Sequence, residues 1–287
     1  LKEMNHLNKN YATQIYVPFG GDEKLALAGT THLAFGAHQD DVEIMAQHGI
    51  LACFGRKDRN FSAVILTDGA GSPRAGGYYG ACTNEEMRAI RITEQKKAAD
   101  VGSYAALVLL NYPSEAVKDP KERGVVDDIK NILMEAKPQV VYTHNPADKH
   151  DTHIAASVRV LTALRELAGE YRPETVYGCE VWRGLDWIND DEKIVLDVSE
   201  RPALRAALVG VYDSQVEGGK RYDLAALGRY GANATFFASH DTDKMTAAIY
   251  AVDLTPLLDG GSIADYMDGY IQRFSQDVKI RIQRFQG

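Results

Sequence analysis

Cysteine is scarce in this 287-residue chain: Cys53, Cys82 and Cys179 lie far apart, with no C-x-x-C spacing. So few scattered thiols, odd in number, argue against both a disulfide framework and a thiolate zinc knot. Long apolar runs are missing too. The longest, Tyr104–Leu110, is far short of the roughly 18 residues that cross a bilayer. Leu1–Asn10 mixes Lys, Glu, His and Asn, and so lacks the apolar stretch of a secretion signal. There is no excess of positive charge: 32 Lys and Arg face 40 Asp and Glu, for a formal charge of −8. That balance removes the broad basic footprint of a nucleic-acid binder. The first strand–helix turn has no G-x-G-x-x-G, and no G-x-x-x-x-G-K, G-x-S-x-G or H-E-x-x-H occurs. The expectation is a soluble, cytoplasmic protein of a reducing compartment that acts on a small molecule, binds neither nucleic acid nor membrane, and has a C-terminal helix able to serve a homo-oligomer.

What is present is an alternation of elements. His32–Ala37, Phe61–Thr67, Ala105–Leu110 and Gln139–Thr143 read as buried strands. Val42–Arg56, a helix from Asn84 through Ala98, Val125–Ala136 and Ile154–Leu167 carry apolar residues at helical spacing. Strands alternating with helices of this length build a mostly parallel sheet in an α/β, Rossmann-like three-layer sandwich. Residues 1–29 read as an irregular extension, and 30–287 as a single domain whose less regular part, about 171–287, completes the substrate site. Within that part, Val176–Trp182 and Lys193–Val198 suggest strands, Arg201–Tyr212 and Ile263–Phe285 helices, and Gly228–Gly231 a loop.

Ligands of open parallel sheets bind beyond the carboxyl ends of the strands. Here the first strand exits into Ala37-His38-Gln39-Asp40-Asp41-Val42-Glu43, and the fourth into His144-Asn145-Pro146-Ala147-Asp148-Lys149-His150-Asp151-Thr152-His153. These two loops hold four of the eight histidines and five acidic residues. His38 and Asp41, three apart at a helix start, share one side of the turn. With His153 they make a two-imidazole, one-carboxylate shell suited to Zn²⁺ or another divalent transition metal, open as catalytic sites are. Asp40, beside a ligand in sequence, is placed to act as base toward a water whose pKa a metal brings down to about 7. His150 is placed to stabilise an oxyanion or protonate a leaving nitrogen, with Asp148 or Asp151 orienting its ring. His144 reads as closing the turn before Pro146. Trp182 and Trp187 read as core or edge packing, with a sugar-site floor as the alternative, and His240 as a surface-loop residue near the rim.

The segment Ala37–Glu43 resembles the Ala-His-Pro-Asp-Asp-x-Glu signature of the PIG-L/LmbE-like N-acetylglucosaminyl deacetylases. His150–His153 is similar to their His-x-x-His, Phe61–Gly69 to their second strand and loop, and Arg91-Ile92-Thr93-Glu94 to their Arg-x-x-Glu helix. The likeness spans about residues 30–200. It implies zinc ligands His38, Asp41 and His153, a base at Asp40, and His150 assisting amine departure. Arg91, by the same resemblance, would contact a hydroxyl or phosphate of the sugar. Two positions depart from the pattern: Gln39 stands where the family has Pro, and Thr152 where it has Asp. Asp148 is the expected substitute for the latter. The implied activity is metal-dependent deacetylation of an N-acetylglucosamine-type sugar. A non-catalytic glycan- or metabolite-binding relative and an amidase for another N-acyl compound are the alternatives.

Overall fold

The computed structural model describes residue 7 and residues 11–286. Eight strands form one sheet: β1 (Gln14–Tyr16), β2 (His32–Gly36), β3 (Phe61–Thr67), β4 (Ala106–Tyr112), β5 (Val140–His144), β6 (Thr175–Cys179), β7 (Ile194–Asp197) and β8 (Ala248–Asp253). Their spatial order is β1-β4-β3-β2-β5-β6-β8-β7. The five strands from β4 to β6 pair in parallel, with His32 opposite Phe61 on one side and Val140 on the other. β1 joins one edge antiparallel, and β8 pairs antiparallel with both β6 and β7 at the other.

Strands β3 (FSAVILT) and β4 (ALVLLNY) are buried along their whole length, as a parallel strand covered on both faces must be. Alternate residues feed two cores. Leu33, Phe35, Val64, Val108 and Val141 pack on one face with residues of the Gly124–Ala136 and Asp151–Glu166 helices. Ala34, Ile65, Leu107 and Tyr142 pack on the other, with residues of the Gln47–Cys53 and Tyr222–Phe236 helices among their neighbours. The chain direction along the sheet reverses between β2 and β5, and this switch point opens a crevice.

Several elements differ from the sequence reading. The supposed irregular extension contains β1 and a helix, Glu23–Ala28, capped by Asp22; three-residue strands and six-residue helices are too short to show a period. The expected 42–56 helix is two helices, Asp41–Met45 and Gln47–Cys53, because Ala46 leaves helical geometry. The break seats Gly49 against Tyr142, where a Cβ would lie 2.7 Å from the ring. Gly228–Gly231 is no loop but lies within the Tyr222–Phe236 helix. Buried Ala226 and Tyr230 and half-buried Leu227 on that helix outweigh the roughly 1 kcal/mol that each helical glycine costs. Among the described residues no helix is long and apolar enough to cross a membrane.

Candidate active site

The two loops that carry the chemistry leave β2 and β5, the strands flanking the switch point. Parallel pairing sends both strand ends the same way, so residues 107–115 apart in sequence meet. His38 Nδ1 lies 3.3 Å from Asp41 Oδ2 and 3.2 Å from His153 Nε2, and His153 Nε2 lies 3.3 Å from Asp41 Oδ1. The His38 backbone N–H also donates to Asp41 Oδ2 at 2.6 Å, fixing the three-residue turn. Nitrogen and oxygen donors about 2.0–2.1 Å from a tetrahedral zinc stand about 3.3 Å from one another. The three side chains therefore fit a divalent metal in spacing and in donor chemistry. Two wider sets share His153: one with His38 and His150, the other with Asp41 and His144.

Protonation suits that role. Burial pushes His153 down to about 4, against the opposing pull of Asp41, so its imidazole is neutral, the form that binds metal. Burial alone would raise Asp41, but His153 and His144 outweigh it and hold its carboxyl well below the ordinary range. Asp148 Oδ2 accepts from His153 Nδ1 at 3.3 Å, which leaves Nε2 as the donor atom turned to the cluster.

Asp40 takes a different environment. Its backbone is left-handed, φ 83°, a conformation that costs a non-glycine residue about 1–3 kcal/mol. Three contacts impose it. Arg91 donates to Asp40 Oδ2 at 2.9 Å and to the Gln39 carbonyl, and Gln95 Oε1 accepts from the Asp40 N–H at 3.3 Å. Gln95 in turn donates to buried Glu43, which also receives the hydroxyls of Tyr104 and Tyr212, each at 2.6 Å. Burial lifts Asp40 to about 7; Arg91 pulls it down and Asp41 adds to the rise. Gln39 makes a bond the family's proline could not, donating Nε2 to the Thr67 carbonyl at 3.0 Å. Gly69 lies just behind it, with φ 69° and no room for a Cβ, which would meet Gln39 Oε1 at 2.4 Å.

Arg91, expected to contact substrate, lines the cavity but is 1% exposed, with its guanidinium on Asp40 and, at 3.2 Å, Glu94. Two expectations need correction. Asp148 orients His153 rather than the ring of His150, which it meets only through the His150 backbone N–H. Asp151 is exposed at the start of its helix, bordering a separate hollow with Pro120 and Arg159, and its carboxylate makes no hydrogen bond among the described residues. With Thr152 where the resemblance has Asp, His150 Nδ1 is left buried without a partner. Burial lowers the His150 pKa, and His38 adds to that.

Sequence reasoning missed three contributors and gave a fourth, Trp182, a place in the site only as an alternative. His144 is fully buried, stacks on His153 at 4.0 Å and accepts the Ala37 N–H on Nε2 at 2.9 Å, which occupies that lone pair. Glu43 stood in the motif without a role. Gln95 gave only the signal of a polar residue on a buried helix face. Trp182 lies 6.3 Å from His150, stacked, and lines the cavity above the cluster. That cavity, about 770 Å³, is lined by His38, Asp40 and His150 and by Lys220, Tyr222 and Arg229, among others. His240 is exposed and does not line it.

Fold and site together define an α/β protein of Rossmann-like topology with an imidazole–carboxylate cluster at the switch point of its sheet. The family model PIG-L, described as GlcNAc-PI de-N-acetylase, matches residues 33–177, slightly over half of the sequence, and the chain belongs to that family. No curated protein sequence matches the chain significantly. Among solved structures it is similar to the N,N'-diacetylchitobiose deacetylase of Pyrococcus horikoshii, with TM-score 0.61 and 15% identity over 80% of this chain and 85% of that one. It is also similar to GalB, the 4-carboxy-2-hydroxymuconate hydratase of Pseudomonas putida KT2440, with TM-score 0.57 and 17% identity over 78% and 96%. A third is the zinc-inhibited form of the teicoplanin deacetylase Orf2, with TM-score 0.51 and 16% identity over 78% and 98%. At such identities these likenesses establish the fold.

Proposed function

We propose that this chain is a divalent-metal-dependent hydrolase that removes the acetyl group from the nitrogen of an N-acetylated amino sugar. The observation that carries this reading is the triangle of His38 Nδ1, Asp41 and His153 Nε2, with edges of 3.2–3.3 Å, in a cavity that Asp40 and His150 also line. These three residues would hold the ion. A divalent metal bound there supplies Lewis acidity toward a carbonyl oxygen and lowers the pKa of water.

The remaining work falls to the chain's own groups. Asp40, aimed by Arg91 and Gln95, accepts the proton of the attacking water as general base. His150 borders the cavity with its Nδ1 unpartnered, free to hydrogen-bond the tetrahedral oxyanion, and the proton that Asp40 took from the water passes to the departing nitrogen, directly or by way of the His150 ring. Trp182 and Tyr222 give the sugar ring apolar faces to lie against. The buried scaffold of Glu43, Gln95 and Tyr212 keeps Asp40 in its left-handed turn and touches no substrate.

Acetate release tests this reading. Purified protein loaded separately with zinc, cobalt, manganese and iron should free acetate from an N-acetylglucosamine derivative. Testing several metals matters because one structural neighbour has a zinc-inhibited form. The Asp40→Asn protein should keep its metal and lose 10²–10⁴-fold in kcat, the usual worth of a general base. Full activity in that variant would remove Asp40 from the reaction. No acetate from any N-acyl sugar with any metal would refute the deacetylase reading, and water addition to an unsaturated acid, the chemistry named for GalB, would be assayed next.

A further inference from the structure

We propose that the substrate carries an anionic group, a carboxylate or a phosphate, which binds between Lys149 and Lys220 on the wall of the cavity; this names the substrate class and rests on the hydrolase reading above. The chain as a whole is acidic, at −8, so a surplus of cations around one cavity runs against its overall charge.

Most charges lining the cavity are already spent. Arg91 is held by Asp40 and Glu94, Lys118 pairs with Glu115 at 2.8 Å, and Arg229 donates to the Val181 carbonyl and lies beside buried Glu180, whose charged carboxylate it favours. The acids are likewise engaged. Asp41 lies 3.3 Å from a ring nitrogen of His38 and of His153 and accepts the His38 backbone N–H, and Glu180 accepts from the Leu185 and Tyr250 backbone N–H groups, both at 3.0 Å, and from Asn233. Lys149 and Lys220 remain: both line the cavity, and neither has an ion-pair partner among the described residues.

Both lysines are tied to the same scaffold as the candidate catalytic groups. Lys149 sits between Asp148 and His150 in sequence, and its backbone N–H donates to Asp148 Oδ1 at 2.5 Å. Asp148 Oδ2 accepts the Trp182 backbone N–H at 3.2 Å, and Lys220 Nζ rests 4.9 Å from the centroid of the Trp182 ring. The Lys220 backbone is pinned in turn by a 2.8 Å bond to the Gln215 carbonyl. One carboxylate, Asp148, thus sets the backbone beside one cation and beneath the aromatic ring that seats the other. Two unpaired ammonium groups and an aromatic face, one ring away from His150, make a receptor for anionic oxygens attached to a ring-shaped substrate.

The experiment compares N-acetylglucosamine, N-acetylglucosamine 6-phosphate and N-acetylmuramic acid as neutral, phosphorylated and carboxylated probes. Acetate release is measured on the metal-loaded protein, and binding by calorimetry on the metal-loaded Asp40→Asn protein. Each partly exposed ion pair is worth up to about a fivefold factor. An anionic probe should therefore exceed the neutral one by about tenfold in kcat/KM and in affinity at low salt. Which of the two anionic probes gains more identifies phosphate or carboxylate. The advantage should shrink toward unity near 1 M salt, where the Debye length is about 3 Å. It should also vanish in the Lys149→Gln/Lys220→Met protein and survive in Lys220→Arg, which keeps the charge. Equal handling of neutral and anionic probes, an advantage that persists in the double variant, or no binding of any probe would overturn the proposal. Acetate from all three at equal efficiency overturns the anion site alone. Anion-selective binding without acetate supports it while the hydrolase reading fails.

Discussion

Arg91 offers the sharpest test of how the site is built, because the family resemblance and the structure assign it different work. Its guanidinium is 1% exposed, 2.9 Å from Asp40 Oδ2 and 3.2 Å from Glu94 Oε2. Replacing it by methionine keeps volume but leaves two buried carboxylates without their cation. Breaking a buried pair by removing one partner costs about 3–5 kcal/mol. For a domain of this size, at about 2 °C per kcal/mol, the melting temperature should fall by about 6–10 °C. Asp40 would also lose the contacts that aim it, and a misplacement of about 1 Å costs about 10²-fold in rate. Thermal unfolding, metal content and steady-state kinetics on Arg91→Met read these effects separately. The expected result is lower stability, retained metal, a kcat down by about 10²-fold and a KM within about threefold of the parent. A raised KM with unchanged kcat would mean that Arg91 reaches the substrate. Unchanged stability would mean that the buried ion pair is not there.

Four further outcomes follow from the same geometry. His38→Ala/Asp41→Ala should bind no stoichiometric divalent metal by elemental analysis, and full metal content would dissolve the proposed ligand set. Asp148→Asn should weaken metal affinity about 10–100-fold in chelator competition, since the Asp148 carboxylate orients the His153 ring; unaltered affinity would contradict that. Burial, with His48 and Arg59 adding, lowers His32 to about 4, whereas an unfolded histidine titrates near 6.5. The unfolded state thus binds the extra proton. His32 should cost up to about 3 kcal/mol of stability as pH falls from 6.5 to 4, and denaturant unfolding of His32→Gln should show a flatter acid limb. Trp182→Ala should raise KM more than it lowers kcat, and the opposite split would place Trp182 in the chemistry rather than in binding.

The sequence exposed those parts of the molecule whose physics is local. Buried parallel strands are continuous apolar runs, so β2, β3, β4 and β5 were legible, and strand ends are where ligands sit, so His38, Asp40, Asp41, His150 and His153 stood out. Contacts set by folding were not legible. Nothing in the residue string distinguishes an arginine that reaches solvent from Arg91, which lies beneath Asp40. Asp148 and Asp151 are equally close to His150 in sequence, yet helix geometry turns Asp151 outward and brings Asp148 under His153. β8, an apolar run like the strands that were read, was passed over, and two glycines hid the Tyr222–Phe236 helix, which brings Tyr222, Ala226, Arg229 and Tyr230 to the cavity.

The adjacency of β2 and β5 has a consequence for how the protein comes into being. About a hundred residues separate the two strands, so their ladder closes a long loop and forms only once the intervening βα units are in place. Donor atoms from both strand ends cannot converge before that. The ion would therefore recognise the finished molecule and not the nascent chain, and each metal bound would draw the folding equilibrium toward completion. Starved of metal, such a protein would be expected to turn over faster in the cell, with its abundance following the metal supply.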